Sequence, residues 1–303
     1  MTTASPDLFS SSNFILELDG APTSIVRSIE GAVIKTEMLT YHANAQKGAI
    51  WRQNGKLKYE PIKVVSGLSA GLPLYNWMNS FCTGDCTRKT GAIVAADFNY
   101  MEKARRTFKE AIIESIDFPK FDANDKNPAN VTITIQPETL VYEPPADGAK
   151  IGGSDNAVIK QQHVSACNFE FIYDNFSKDP IKRVTKVDGF SLKSKTIEYH
   201  HGGRLDPLKI AGKIEQPNVT FYMPEIDAAF FIKLMADAVK GIRPPQSEAA
   251  LRFFDNQKAV QGEIHFKGCH VFNVQPDKLD ATNEDVRQVK IEMAIESLTF
   301  TRN

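Results

Sequence analysis

The sequence predicts a mainly β protein with a minor α component. It reads as two tandem domains, each an antiparallel sheet or half-barrel with one short packed helix and a long hairpin arm. Three observations predict this: an internal repeat at a near-constant offset, period-two alternation in several segments of each copy, and one stretch of helical periodicity per copy. The 303 residues, 42% of them hydrophobic, exceed one ordinary core and suit two domains of about 150 residues.

The repeat comes first. Gly31 matches Gly189 (189 − 31 = 158), and Tyr41-His42, Asp97, Phe108-Lys109 and Asp122-Ala123 match Tyr199-His200, Asp255, Phe266-Lys267 and Asp280-Ala281 at the same offset. The final strands, from Val131 and from Val289, also align at 158. Asn13-Phe14 and Asp19 match Asn168-Phe169 and Asp174 at 155, Pro61 matches Pro217 at 156, and Gly84 matches Gly241 at 157. Such drift marks small loop insertions, which add little loop-closure entropy. The Pro-, Gly- and Asp-rich stretch around Glu143 to Ser165 has no apolar periodicity and reads as a join. The expected division is 1–145, a linker at 146–165, and 166–303.

Each copy opens on an alternating strand, NFILELDG or NFEFIYDN. Asp19-Gly20 signals a tight turn, and SKDP around Pro180 plays that part in the second copy. Strands IVRSIEG and IKRVTKVDG follow, then VIKTEMLTY and FSLKSKTIEY. A polar, Gly-containing stretch comes next, His42 to Leu57 or His200 to Ile214, and reads as a long hairpin arm or loop. After KYEPIKVVSG and QPNVTFYM, one helix is expected in each copy. Leu74, Trp77, Met78 and Phe81 fall at i, i+3, i+4 and i+7, one face of a helix. Ile226 to Val239 carries Phe230, Leu234 and Val239 as its apolar set, and Gly84 and Gly241 close the two helices. Three strand regions complete each copy. In the last, Val131, Ile133 and Ile135, with Val289, Ile291, Met293 and Ile295, are expected to face the core.

The net charge of −1 carries no basic excess of the kind a nucleic-acid binder shows. The N-terminal MTTASPDLFSSSNF lacks a basic region and apolar core, so no signal peptide is expected, and no run reaches the about 20 apolar residues of a membrane helix. The four cysteines form no framework, and a reducing interior is expected. No metal site, cofactor or catalytic residue is expected. His265, Cys269 and His270 sit in HFKGCH, but residues five apart on a strand diverge, and their counterparts Thr107, Ala111 and Ile112 cannot ligate. Cys82 and Cys86 lack the spacing of redox motifs, and His200-His201-Gly202-Gly203 reads as a surface loop. None of the Ser-hydrolase, zinc-protease or phosphate-loop motifs is present.

In collinear order, Asn13-Phe14, Asp19-Gly20, Gly31, Lys58-Tyr59, Trp77, Gly84, Arg88-Lys89-Thr90-Gly91 and Phe108 to Ala111 make the chain resemble the tail tube proteins of contractile-tailed phages. The same fold occurs in contractile injection systems and in the type VI secretion tube. Most members of the contractile branch have a single domain of half this length, so the duplication is a departure. The resemblance implies stacked rings around a central lumen, the helix outside and the arm reaching the next ring. Six domains per ring and two per chain imply a homotrimer of pseudo-sixfold symmetry. It implies sheath, baseplate and tape-measure partners, no membrane, genomic DNA passing without specific binding, and a virion tail assembled in the host cytoplasm. Thr132, Thr134, Gln136, Lys290, Glu292 and Glu296 are the expected lumen residues. His42, Lys47, Trp51, Arg52, His200, His201, Arg204 and Lys209 are the expected inter-ring arm. A tube initiator or terminator ring, an injection-system inner tube, and a β-sandwich enzyme or carbohydrate-binding module are the alternatives.

Overall fold

A computed structural model of the protein describes residues 12–302 except 24–25, 43–49, 69–70, 146–148, 152–163, 174–180, 182, 205, 243–245 and 280–285. Strands make up 60% and helices 11%, so the mainly β reading holds. The first half contains β1 (Phe14–Leu18), β2 (Ala21–Pro22), β3 (Val26–Gly31), β4 (Ile34–His42), β5 (Ile50–Tyr59), β6 (Ile62–Gly67), α1 (Leu72–Cys82), β7 (Lys89–Ala96), β8 (Glu102–Asp117), β9 (Phe121–Asp122), β10 (Asn130–Gln136) and β11 (Thr139–Glu143). The second contains β12 (Phe169–Tyr173), β13 (Lys186–Val187), β14 (Ser191–Tyr199), β15 (Leu208–Glu215), β16 (Asn218–Pro224), α2 (Ala229–Val239), β17 (Ser247–Phe254), β18 (Val260–Pro276), β19 (Gln288–Ala294) and β20 (Ser297–Arg302).

All described strand pairs are antiparallel, and the halves repeat one topology. One sheet runs β1-β7-β8-β10-β6-β3; its twin runs β12-β17-β18-β19-β16-β13 in the same relative order. The registers match residue for residue. Ile133 pairs Ile116 and Ile291 pairs Val274, each 158 apart from its counterpart, and both ladders slip at the same place beyond Ser115 and Asn273. The long strands β8 and β18 carry a second shared bulge, where Glu110 and its counterpart Gly268 adopt left-handed backbone. The conserved offset of Asp97 and Asp255 also has a local cause. Each carboxylate accepts two backbone N–H groups, from Asn99 and Met101 or from Gln257 and Ala259, and shapes the turn between two strands.

Alternation along β10 and β19 buries Val131, Ile133 and Ile135, and Val289, Ile291 and Met293. These side chains join one hydrophobic core that spans both halves. Leu74, Trp77, Met78, Phe81 and Cys82 of α1 are all buried in it, whereas α2 buries Phe231 alone. Phe230 and Leu234 pack half-buried against the core, and Val239, read from the sequence as part of that face, lies in solvent. The periodicity of α2 admits two adjacent faces, and the one holding Phe231 is seated.

Asp19 and Gly20 both have positive φ, as a two-residue type I′ hairpin requires. Its expected equivalent around Pro180 lies outside the described residues. The polar arm is an antiparallel hairpin, with Ile50–Tyr59 a strand rather than a loop. Both its faces are wet, so no alternation marks it in the sequence. Part of the join is tied down: Glu102 donates its N–H to the Ala149 carbonyl, Ile151 donates to that of Tyr100, and Ile151 packs on Ile15, Ala92 and Val94.

The matched glycines Gly31 and Gly189 have separate reasons. Gly31 has φ of +89° and a Cβ there would lie 2.0 Å from the Pro61 carbonyl oxygen. Gly189 brings the second half against Phe118, Pro119 and Lys120 of the first. Gly31→Ala is expected to lower stability by about 3 kcal/mol, since neither its φ nor the adjacent backbone can yield. Gly20→Ala, with φ of +78° and no atom within 4 Å of the new methyl, is expected to cost about 1 kcal/mol. Urea denaturation of the two variants checks the difference.

Candidate assembly interface

The most informative contact is the joint between the two halves. β8 is paired on one edge by its own β10, and β14 of the second half takes the other, with Asp117, Ile116 and Ser115 opposite Ser191, Leu192 and Lys193. The Phe118 amide continues this ladder to the Phe190 carbonyl at 2.9 Å, and the two rings stack at 4.9 Å. β9 adds a strand to β13, burying Phe121 against Val187. On the flank, α1 caps the free edge of β20. The Tyr75 hydroxyl donates to the Phe300 carbonyl at 2.5 Å and accepts the Arg302 amide at 3.0 Å, while the Asn79 side-chain oxygen accepts the Phe300 amide. A strand edge left open in water is a sticky template. Here the second half closes the first half's edge.

A buried carboxylate fastens the same joint. Glu138 accepts from Arg88 at 2.7 Å and from Arg204 of the second half at 2.6 Å. Arg88 also donates to the Lys209 carbonyl at 2.7 Å. Burial alone would raise the Glu138 pKa, but the two guanidinium groups outweigh it and hold the carboxyl below its ordinary value. The Lys209 side chain is itself buried, and desolvation pushes its ammonium down.

Of the expected arm residues, Arg204 and Lys209 thus lie at the joint within one chain. Trp51, Arg52, His200 and His201 are exposed on the hairpins, and Lys47 and the His42 side chain lie outside the described residues. Thr132, Thr134, Lys290 and Glu292 stand on the polar face opposite the core. There Lys290 pairs with Glu292 at 2.5 Å, Asn273 donates to Glu292 at 2.9 Å, and Lys186 pairs with Asp188 at 2.6 Å. Gln136 is instead buried, donating to the carbonyls of Tyr59 and Pro137, and Glu296 sits exposed in the turn before β20. Both departures have one cause: the strict alternation of β10 and β19 stops before these positions. His265 and His270 face different carboxylates, Glu248 and Glu296. Burial raises the Cys82 thiol to about 12, which keeps it protonated at neutral pH.

Pseudo-symmetry identifies what is open. The counterpart of the β8 edge is Asn273 to Gln275 of β18, which among the described residues pairs with β19 alone. The counterpart of β14 is β4, which among the described residues pairs with β5 alone. Among the described residues the two ends therefore present the counterparts of the two edges that are joined inside the chain. Sequence reasoning located these strands but not the joint, because pairing across copies leaves no periodic signal.

A family model described as T4-like virus tail tube protein gp19 matches twice, over residues 10–141 and 165–299. No curated protein matches the chain significantly. Similar solved chains come from the extended sheath–tube complex of an extracellular contractile injection system, PVC (TM-score 0.40, 19% identity, 45% of this chain and 92% of that one). Another is from the sheath/tube terminator of that system (0.40, 19%, 46% and 99%). A third is from the tube-terminating cap of the anti-feeding prophage (0.38, 16%, 44% and 89%).

Glu138→Gln is expected to cost about 2 kcal/mol, since it removes one charge from a partly exposed ion triad. A carboxyl depressed in the folded state contributes stability above its unfolded pKa of about 4.3 and loses it as pH falls through the folded value. The variant's stability should therefore fall less steeply than the parent's between about pH 5 and pH 3, as read by guanidinium denaturation at each pH.

Proposed function

The chain belongs to the family of T4-like virus tail tube protein gp19, and from that premise we propose that three copies close into a ring of pseudo-sixfold symmetry that stacks into a tail tube. The two proposed tube domains are residues 1–145 and 166–303, joined by 146–165. One observation carries the reading: β14 completes the edge of β8 inside the chain, while β4 and the end of β18 hold the same two edges unpaired. Repeating the internal joint between chains satisfies every such edge once a head-to-tail ring closes, and six domains per ring, two from each chain, set the number at three.

The polar face of β10 and β19 would then line the lumen. On the same sheet face Lys186 of β13 and Lys290 are ion-paired, while Lys63, opposite Thr134, and Lys193, opposite Ser115, stand exposed. Phosphate binding grows with the number of free Lys and Arg contacts, so pairing two of these cations weakens the hold of the lining on DNA. The role is structural rather than catalytic, in a virion tail assembled in the host cytoplasm, with sheath, baseplate and tape-measure proteins as partners.

Purified protein should form rings of three 33.7 kDa chains, 3 × 33.7 ≈ 101 kDa, by mass photometry, and stacked tubes in electron micrographs at high concentration. Rings that never stack would favour an initiator or terminator, and a monomer at every concentration would refute ring formation. Because the Phe118 amide points to β14, so does that of Ile116, two residues away; the counterpart of Ile116 is Val274. Val274→Pro, which removes the donor facing the open edge, should abolish rings while the monomer keeps its strand content by circular dichroism.

A further inference from the structure

The two helices are twins in sequence position and unlike in environment. Cys82 of α1 is 2% exposed and its counterpart Val239 of α2 is 89% exposed, at an offset of 157. The same inversion recurs twice more. Phe121 is 0% exposed and its counterpart Leu279 is 75%; Phe300 is 1% and its counterpart Tyr142 is 54%. Phe121 and Phe300 lie at the internal joint against the other half of the chain, and Cys82 is buried on the helix that caps it. The exposed members fall on both sides of the open ends: α2 and Leu279 in the second half, Tyr142 on β11 in the first.

We propose that these residues form a lateral seam that receives a second copy of this chain, with α2 of one copy seated on β11 of the next and Leu279 entering beside β3. The occupant follows from the internal joint, where α1 lies on β20 and Phe121 pairs beside β13, the respective counterparts of α2, β11, Leu279 and β3. The inference rests on the ring reading and names the residues that hold the joint between chains.

The chemistry of this seam differs from that of the internal one. α1 reaches the β20 edge with Tyr75 and Asn79, both making hydrogen bonds there. At the corresponding positions α2 carries Ile232, 46% exposed, and Ala236. Glu138, clamped by two arginines, corresponds to Glu296, whose neighbours are Gln246 and His270. Gln246 stands where Arg88 stands in the first half. At the helix the seam between chains is therefore apolar where the joint within a chain is hydrogen-bonded, and at Glu296 a carboxylate bound by Gln246 replaces the two-arginine clamp. Tyr142 is already set for it, with its hydroxyl donating to the Ala32 carbonyl at 3.2 Å and Arg106 over its ring at 5.5 Å.

Ile232→Asp and Leu279→Asp alter one side of the seam, Tyr142→Asp the other, and Phe98→Asp alters an exposed aromatic outside it, in the turn between β7 and β8. Each seam variant should raise the ring's dissociation midpoint by at least about 30-fold, the share of one buried aliphatic side chain. Phe98→Asp should leave it unchanged, and every variant should keep the wild-type strand content by circular dichroism. A mixture of Ile232→Asp and Tyr142→Asp retains one intact seam per pair and should stop at dimers of 2 × 33.7 ≈ 67 kDa. Rings that persist in all three seam variants would overturn the seam and leave the ring reading standing. A wild-type protein that never forms rings would overturn both.

Discussion

Every strand in this molecule has two edges, and the arrangement of the whole chain follows from which edges are left without a partner. β8 cannot stop at β10, because its outer backbone groups would face water beside a hydrophobic core. β14 resolves this from the other half. Once it does, the aromatic residues beneath the ladder, Phe118, Phe121, Phe190 and Phe300, are drawn into one core, and the helix above them has a strand to rest on. The ion triad at Glu138 and the caps at Tyr75 and Asn79 are secondary to that addition; they fasten an edge that backbone pairing has already brought into place.

Duplication frees the two copies to diverge. A chain with one domain must use the same surface at every joint. Here the internal joint acquired a buried carboxylate and two arginines, while the corresponding place in the second half holds Glu296, Gln246 and His270. The left-handed bulge position is Glu110 in one copy and Gly268 in the other, and Glu296 folds its carboxylate over that glycine. The frame is retained in register and turn geometry. The joint within the chain is one place where the copies differ.

Much of the frame was legible in the sequence. The offset of 158 reproduces the strand registers, and alternation in β10 and β19 marks the residues that fill the core. Trp77 and its helical neighbours were equally plain, because α1 is covered on one long face. Phe231 was missed in favour of Phe230, since α2 is so apolar around its circumference that periodicity cannot rank its faces. Val239 looked like core because hydrophobicity reports what a residue prefers, not whether the chain covers it. The β5 strand was hidden by exposure on both faces. Arg204 and Lys209 read as an outward arm, and nothing local signals that Glu138 pairs with Arg204, or that Arg88 donates to the Lys209 carbonyl, across the joint.

The joint between β8 and β14 is made within one covalent chain, and this changes the order of the assembly reaction. Partners tethered to each other meet at an effective concentration set by the linker, not by the solution. Dilution cannot separate them short of unfolding. In the proposed ring, half of the joints would exist before any two molecules collide, so closure would depend on the third power of protein concentration where six separate domains would depend on the sixth. A tube of duplicated subunits would therefore be less sensitive to scarcity of its own building block.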